Sequence, residues 1–434
     1  MRGLIEAVFA RLDARLETDV ERPVAIALSG GGDSLALLDL ATTWAEARGR
    51  RLIVLTVDHG LSPQSGDWTD FAAEAAGRAG APFRALSWTG DKPLTGLPAA
   101  ARAARHRLLA QAARQAGAHV ILLGHTADDI AEADWMRARG STLGRLAEWG
   151  PSPVWPEGRS LALLRPLLGV SRAALRDHLT TRGLPWIDDP ANDDLRFARA
   201  RARQSLAGTI APLAGTTPLI PAEMTVDAFG VIRGSRRLGL RDLALAVVCA
   251  AGGERPPRGR ALASLSDRLA APGDVVAVLG GARIEATGDD LTVYREAGEF
   301  ARRPPGLIDG VWDGRFELNP PKGFSVAPAA GVLSRLSDAD RARLAALPAG
   351  VRPTMPVLIR NESGAPILAG ERMGLRALVA DRLALAQGRL SQESALARPS
   401  DGGTPHEGLS WRGLDTRRAP DGPDREIERR NEPA

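Results

Sequence analysis

A run of three glycines between an apolar segment and a helix-compatible segment constrains this chain more than any other feature. The apolar run at 24–28 leads directly into Ser29-Gly30-Gly31-Gly32-Asp33-Ser34. Glycines let the backbone approach a ligand closely, and the free amides at a helix start attract anions. Residues 35–47 suit such a helix, so the segment predicts a phosphate-binding turn. A tight turn without a ligand is the alternative.

An acidic residue separates this turn from the two common nucleotide motifs. The turn has neither the Gly-Lys-Ser/Thr of a Walker loop nor the Gly-x-Gly-x-x-Gly of dinucleotide sites. Asp33 would repel a phosphate unless a divalent cation lay between them. The sequence therefore predicts ATP with Mg²⁺, and Asp33 as the metal ligand. The turn resembles that of the N-type ATP pyrophosphatases.

Two further apolar runs indicate the fold. Residues 52–57 precede Asp58 and His59, and residues 119–123 precede Gly124 and His125. Continuous apolar runs separated by helix-length segments predict a doubly wound α/β fold, with a mostly parallel sheet covered by helices on both faces. Ligands bind such sheets beyond the carboxyl ends of the strands. The turn and the polar residues after both runs should therefore share one crevice.

An acidic segment follows the third apolar run. His125 is followed by Asp128, Asp129 and Glu132, and the segment is expected to open a helix that ends near Arg139. Asp129 and Glu132 are three residues apart and share a helical face. Two such carboxylates beside a nucleotide can hold a metal or an ammonium group. Capping and dipole interactions at a helix start are the alternative.

Six blocks in this order resemble the tRNA(Ile)-lysidine synthases over about the first 205 residues. They are residues 29–34, His125 to Glu132, Arg139-Gly140-Ser141-Thr142-Leu143, Arg165-Pro166-Leu167-Leu168, Asp188-Asp189-Pro190-Ala191-Asn192 and Arg199-Ala200-Arg201-Ala202-Arg203. The resemblance implies an adenine nucleotide α-hydrolase-like fold. The order of the six blocks along the chain supports the resemblance as much as the residues within them do.

A basic helix between the second and third apolar runs also matches the family. Residues 101–106 resemble its Ala-Arg-x-x-Arg-Tyr helix, with Arg102 and Arg105 on one face. Guanidinium groups suit the α-phosphate and the charge that develops during adenylyl transfer, although a solvated basic face is the alternative. Four positions depart from the family pattern and leave the roles of their side chains open: Pro98, His106, Ala191 and Ala200.

The resemblance implies a two-step ligation on RNA. ATP first adenylylates the wobble cytidine of a tRNA(Ile) with a CAU anticodon and releases pyrophosphate. The ε-amine of free L-lysine then displaces AMP, and the product is lysidine. The alternatives are another ATP pyrophosphatase of this class with a different amine, and a non-catalytic RNA-binding protein.

The roles implied by the resemblance fall on four groups of residues. ATP binding falls to Ser29, Gly30, Gly31, Gly32, Asp33, Ser34, Asp58 and His59. Lysine binding falls to Asp129 and Glu132. Catalysis falls to Asp33, Arg102, Arg105, His125 and Asp129. Binding of tRNA is assigned to Arg199, Arg201 and Arg203. Local clustering of arginines adds four more candidates, which are equally consistent with solvated surfaces: Arg196, Arg233, Arg236 and Arg237.

Composition narrows the class of protein. The basic residues are almost all arginine, with lysine only at Lys92 and Lys322. The single cysteine, Cys249, lies in an apolar run, which excludes a disulfide framework and the paired cysteines of sulfur-inserting relatives. The pattern of residues 1–16 predicts an amphipathic helix and not a signal peptide. No segment is long and apolar enough to span a membrane, so a cytoplasmic enzyme is expected.

Composition along the chain predicts three regions. Residues 1–215 form the catalytic domain, residues 216–390 an α+β region that binds tRNA, and residues 391–434 a disordered tail rich in Pro, Gly and charge. Within the second region a helix is expected at 240–251 and a hairpin at 275–287, followed by a third strand at 291–295. Trp149 and Trp155 are expected to pack their loop, with base stacking as the alternative.

Overall fold

The computed structural model describes residues 2–141, 144, 146–189, 194–196, 198–206, 220–360, 364–370 and 374–396 of the 434-residue chain. A six-stranded sheet in the order β3-β2-β1-β4-β6-β5 forms the first part. Its strands are β1 (Val24–Ala27), β2 (Leu52–Asp58), β3 (Phe83–Ser87), β4 (Val120–Leu122), β5 (Trp149–Pro151) and β6 (Ala162–Leu164). All neighbouring pairs are parallel except β5 with β6.

Seven helices accompany this sheet within the described residues. They are α1 (Arg2–Asp13), α2 (Gly32–Ala47), α3 (Ser65–Arg78), α4 (Leu97–Gln115), α5 (Ala127–Arg137), α6 (Arg172–Thr181) and α7 (Ala198–Ser205). Pro98 lies in the first turn of α4, where its missing amide hydrogen costs nothing. Ser171 caps α6 by accepting a hydrogen bond from the Ala174 amide.

The sheet is buried on both faces, which confirms the doubly wound α/β fold. Val24 and Ile26 pack in one apolar core with residues of α1, α2, α3 and α6. Ala25 and Ile53 point the other way, into a second core with residues of α4. Because successive side chains of a strand alternate between faces, an uninterrupted apolar run supplies both cores.

A five-stranded antiparallel sheet in the order β7-β8-β11-β10-β9 follows. Its elements are β7 (Met224–Val226), β8 (Ile232–Ser235), α8 (Leu240–Ala251), α9 (Arg260–Ala270), β9 (Val275–Leu279), β10 (Ala282–Thr287) and β11 (Asp290–Arg295). The predicted helix, hairpin and third strand are all confirmed. Gly280 and Gly281 turn the hairpin with positive φ, and Cys249 is buried in the core beneath it.

Two small sheets complete the described fold, in the orders β12-β13-β14-β18 and β15-β16-β17. The strands are β12 (Leu307–Ile308), β13 (Val311–Trp312), β14 (Phe316–Glu317), β15 (Phe324–Pro328), β16 (Pro356–Arg360), β17 (Ile367–Leu368) and β18 (Arg376–Ala377). The helices are α10 (Asp338–Ala345), α11 (Val379–Gln387) and α12 (Glu393–Leu396). Trp312 and Phe316 are fully enclosed in a core formed by strands of both sheets and by α10.

The prediction of a disordered tail from 391 onward is wrong for residues 391–396. Helix α12 returns to the first domain, where Glu393 forms a fully buried ion pair with Arg50. Leu396 joins the same apolar core as α1. Residues 397–434 lie outside the described part of the chain, as does the expected domain boundary near 215. None of the described helices is long and apolar enough to cross a membrane.

Candidate active site

The glycine-rich turn lies between β1 and α2, as predicted. Gly31 precedes the first residue of α2, and no side chain of the described residues caps this helix. Ser34 Oγ donates to the Gly31 carbonyl at 2.9 Å and lies 3.1 Å from Ser29 Oγ. Amides at an uncapped helix start remain available to an anion. The local geometry therefore suits a phosphate group.

Close packing against two other segments fixes the turn. Gly30 has a φ of +82°, and a Cβ on it would lie 2.8 Å from Ile187 Cδ1. The Ile187 amide donates to the Gly30 carbonyl at 3.0 Å. On another side, a Cβ on Gly124 would lie 3.0 Å from the carbonyl oxygen of Asp33. Both positions therefore need glycine for the turn to keep its place.

The last residue of β2, Asp58, and the residue after it, His59, also lie at this edge of the sheet. Asp58 Oδ1 accepts from the Gly60 amide at 2.7 Å, so this carboxylate stabilises the turn that follows the strand. His59 packs edge-on against Trp88, with ring centroids 6.0 Å apart. Burial lowers the pKa of His59, and Arg105 lowers it further, which places this ring beside the basic helix α4.

Arg102 and Arg105 form a basic surface on α4 that faces the crevice. Burial lowers the pKa of Arg105 to about 10, and the nearby charges of Arg102 and Arg199 act in the same direction. Among the described residues, neither Arg102 nor Arg105 has a hydrogen bond or an ion pair. Two neighbouring guanidinium groups that are not engaged in ion pairs form an environment that binds phosphate.

Two buried histidines stand beside these arginines. Burial, reinforced by surrounding arginines, lowers the pKa of His106 to about 3 and that of His125 to about 2. Both rings are therefore neutral near pH 7. Within the described part of the chain, His125 Nδ1 and His106 Nε2 are buried without a hydrogen-bond partner. Buried polar atoms are normally paired, so these nitrogens are open to a ligand or a water.

Asp129 and Glu132 lie on one face of α5, as the spacing predicted. Asp129 completes a capping box with Thr126, and its Oδ2 accepts from the Thr126 amide at 2.8 Å. Glu132 is almost completely buried and is paired with Arg172, Arg199 and Arg203. Capping and charge pairing therefore occur together in this segment, and the carboxylates converge with the glycine-rich turn.

Arg172 is a site residue that the sequence analysis missed. Its Nε donates to Asp33 Oδ2 at 3.2 Å, and its Nη1 donates to Glu132 Oε1 at 3.2 Å. The number of carboxylates could have predicted a cation here, because Asp33, Asp129 and Glu132 cannot share a crevice without cations between them. The residue directly after the Ser171 cap is the one that supplies such a cation.

The donor set at Asp33 fits a Mg²⁺ ion that is shared with phosphates. The carboxylate is partly buried beside the turn, and burial raises the pKa of Asp33. Mg²⁺ commonly binds through one or two carboxylates together with substrate phosphates. Among the described residues, no cluster of three or more His, Cys, Asp or Glu side chains is arranged as a metal site. Asp33 alone therefore fits only a metal that arrives with ATP.

Arg236 is not available for RNA, which corrects that prediction. It is buried and donates to the carbonyls of Leu269, Ala271, Gly273 and Gly288. Arg233 and Arg237 are exposed, and each pairs with a nearby aspartate. The guanidinium of Arg236 thus joins α9 to the sheet.

Trp149 and Trp155 contact later parts of the chain, which the sequence did not predict. Trp149 Nε1 donates to the Leu390 carbonyl, and Trp155 Nε1 donates to the Gly314 carbonyl, each at 2.7 Å. Three parts of the predicted blocks lie outside the described residues: Thr142, Leu143 and the run Pro190-Ala191-Asn192.

Similarity to known proteins identifies the family of this chain. The model of the PP-loop domain matches residues 5–210. A tRNA(Ile)-lysidine synthase of Caulobacter vibrioides is 47% identical over 407 residues, which cover 90% of this chain and 99% of the relative. One from Hyphomonas neptunium is 38% identical over 343 residues, which cover 70% and 88% of the two chains.

Among solved structures, the U34-tRNA thiolase NcsA of Methanococcus maripaludis matches with a TM-score of 0.40 and 19% identity. The match covers 48% of this chain and 71% of that one. The family assignment depends on the sequence relatives, because they match over almost their whole length at high identity. This chain belongs to the tRNA(Ile)-lysidine synthase family.

Proposed function

We propose that this protein ligates L-lysine to the wobble cytidine of a CAU-anticodon tRNA(Ile), with ATP as the source of activation. The observation that carries the proposal is a convergence at one edge of the sheet. An uncapped glycine-rich helix start, the arginines of α4 and the paired carboxylates of α5 all meet there. The helix start suits the phosphates of ATP, the arginines suit the adenylyl group, and the carboxylates suit the amine.

ATP binds with its pyrophosphate on the turn. The amides of Gly30, Gly31 and Gly32 and the hydroxyl of Ser29 donate to phosphate oxygens, and the hydroxyl of Ser34 joins them once it turns away from the Gly31 carbonyl. Asp33 would hold a Mg²⁺ ion that arrives with ATP, and such an ion would supply positive charge beside the phosphates. Asp58 and His59 lie toward the adenosine end of the crevice.

Adenylyl transfer from ATP to the cytidine carbonyl oxygen places negative charge on the α-phosphate. Arg102 and Arg105 face that charge with guanidinium groups that form no ion pair among the described residues. His125 contributes a neutral ring, because its pKa of about 2 keeps it unprotonated near pH 7. It therefore acts as a hydrogen-bond partner and does not supply a proton as an acid.

The lysine ammonium group binds the carboxylates of Asp129 and Glu132, and one of these accepts a proton before the amine attacks. The attack forms the new carbon–nitrogen bond and releases AMP. Arg199, Arg201 and Arg203 of α7 contact the tRNA backbone, and the C-terminal α+β region holds more of the RNA. The reaction takes place in the cytoplasm.

The test is incorporation of radiolabelled lysine into a CAU-anticodon tRNA(Ile) transcript in the presence of ATP and Mg²⁺. We expect labelled RNA with the unaltered protein, none with a transcript that lacks the wobble cytidine, and almost none with Asp33→Asn. Asp67→Asn is the matched control, because Asp67 is an exposed carboxylate on α3.

Two results would favour the alternatives. Cleavage of ATP to AMP without labelled RNA would mean that another amine or acceptor is used. Binding of RNA without any cleavage of ATP would indicate a non-catalytic RNA-binding protein.

A further inference from the structure

The carboxylates assigned to lysine are already occupied by arginines of the same chain. Glu132 Oε1 accepts from Arg172 Nη1 at 3.2 Å and from Arg203 Nε at 3.0 Å. Its other oxygen, Oε2, accepts from Arg199 Nε at 2.9 Å. The Glu132 side chain is only 2% exposed. An incoming ammonium group therefore has no route to Glu132 unless an arginine leaves.

Asp129 is engaged in the same way. Its Oδ1 accepts from Arg199 Nη2 at 2.7 Å, and its Oδ2 accepts from the Thr126 amide at 2.8 Å. The Arg199 guanidinium thus bridges Asp129 and Glu132, in the position between the two carboxylates where an ammonium would sit. Three guanidinium groups contact this pair of carboxylates, so a further cation would have to displace one of them.

The three arginines differ in how firmly they are held. Arg172 is 15% exposed and is also bonded to Asp33, while its backbone amide is held by Asp128. Arg199 is 43% exposed, and it belongs to the short helix α7. Arg201 on the same helix is exposed, and among the described residues it donates only to the backbone carbonyls of residues 195 and 196. Helix α7 is therefore the side of the site that RNA phosphates can reach.

We propose that α7 is a gate in which Arg199 and Arg203 exchange the carboxylates of Asp129 and Glu132 for phosphates of the RNA substrate, and so open the amine site only when RNA is bound. The inference rests on the proposed function and adds an order of binding to it. A phosphate can replace a carboxylate as an arginine partner without loss of charge pairing. The freed carboxylates then accept the lysine ammonium, and Arg172 keeps them in place.

The gate predicts a dependence of lysine affinity on RNA. Calorimetric titration of lysine into the free protein should show weak binding, and a CAU-anticodon tRNA(Ile) transcript without ATP should increase the affinity about tenfold or more, as for other coupled sites. Arg199→Gln should bind lysine about tenfold more tightly than the unaltered protein in the absence of RNA, because the competing cation is gone. Added RNA should then change its lysine affinity little.

Arg201→Gln is the matched control, since it removes a charge from the same helix without touching either carboxylate. It should weaken RNA binding as Arg199→Gln does, yet leave lysine affinity in the absence of RNA unchanged. Arg203→Gln is a second variant that should act in the same direction as Arg199→Gln if the latter fails to fold, as judged by circular dichroism.

The other possible results contradict either the gate alone or the gate together with the assignment of lysine as the amine. Equal lysine affinity of the unaltered protein with and without RNA would overturn the gate alone. The same conclusion would follow if Arg199→Gln and Arg203→Gln bound lysine no better than Arg201→Gln. If no variant bound lysine in any state, both the gate and the assignment of lysine as the amine would fail.

Discussion

Nε of Arg172 donates to Oδ2 of Asp33 across 3.2 Å, and this contact connects helix α6 to the glycine-rich turn. The same guanidinium reaches Glu132, while the backbone amide of Arg172 donates to Asp128 at 2.8 Å. One residue therefore links the carboxylate proposed for Mg²⁺ to the carboxylates proposed for lysine. The position of α6 therefore places one cation between these carboxylates.

Replacement of Arg172 by glutamine should lower the free energy of unfolding by roughly 1–3 kcal/mol, because buried carboxylates lose a charged hydrogen-bond partner. Urea denaturation measures this change. Arg176→Gln, one turn further along α6, is the control because Arg176 pairs with the exposed Asp188. Its effect should stay within about 0.5 kcal/mol. Equal losses in the two variants would contradict this account.

Loss of the buried ion pair between α12 and the first domain should be costly. Arg50 and Glu393 are both fully buried, and two hydrogen bonds of 2.8 and 3.0 Å join them. Glu393→Gln would leave the Arg50 charge uncompensated, which costs about 3–5 kcal/mol in comparable pairs. Thermal and urea unfolding would detect the loss.

The exposed pair of Arg51 and Glu21 offers a control for this experiment. Glu21→Gln should change stability by no more than about 1 kcal/mol, because water already screens that pair. A Glu393→Gln protein as stable as Glu21→Gln would show that the C-terminal segment is not held by this ion pair.

Stability should fall in mild acid because His106 is buried and neutral. Its pKa is about 3 in the folded protein, against an ordinary value of 6.5. Between these values the unfolded chain binds a proton that the folded protein does not, so the free energy of unfolding falls as the pH decreases below 6.5. His106→Gln should reduce this slope by up to about 1.4 kcal/mol per pH unit. Parallel slopes for the two proteins between pH 6 and 4 would contradict the prediction.

A methyl group on Gly124 should damage the nucleotide site without unfolding the protein. The Cβ of Gly124→Ala would press on the backbone of Asp33 and Ser34 at 3.0–3.1 Å and displace the turn. We expect about a tenfold loss of affinity for an ATP analogue, or roughly 1.4 kcal/mol. Gly77→Ala on α3 is the control, since nothing lies within 4 Å of its new Cβ. Unaltered nucleotide affinity in Gly124→Ala would show that the turn tolerates displacement.

Local sequence patterns predicted much of this site. The apolar runs predicted the sheet because each strand supplies both cores, and the spacing of Asp129 and Glu132 placed both carboxylates on one face of α5. The six blocks predicted the family, which the sequence relatives confirm. These features depend on residues that are close together in the chain.

Features that depend on distant segments could not be predicted in the same way. The approach of Arg172 to Asp33 joins residues 139 positions apart, and that of Glu393 to Arg50 joins residues 343 apart. The basic cluster around Arg236 looked like an RNA contact because the sequence does not reveal that four backbone carbonyls surround its guanidinium. Composition alone likewise gave no sign that Glu393 is buried.

The most direct test of the proposed ligation is the stoichiometry of a single reaction with tRNA(Ile), lysine and ATP. Pyrophosphate, AMP and RNA-bound lysine would be quantified together by chromatography and mass spectrometry of the digested RNA. The account predicts equal amounts of all three products, with the lysine on the wobble cytidine. Release of ADP and phosphate, or lysine attached elsewhere on the RNA, would contradict it.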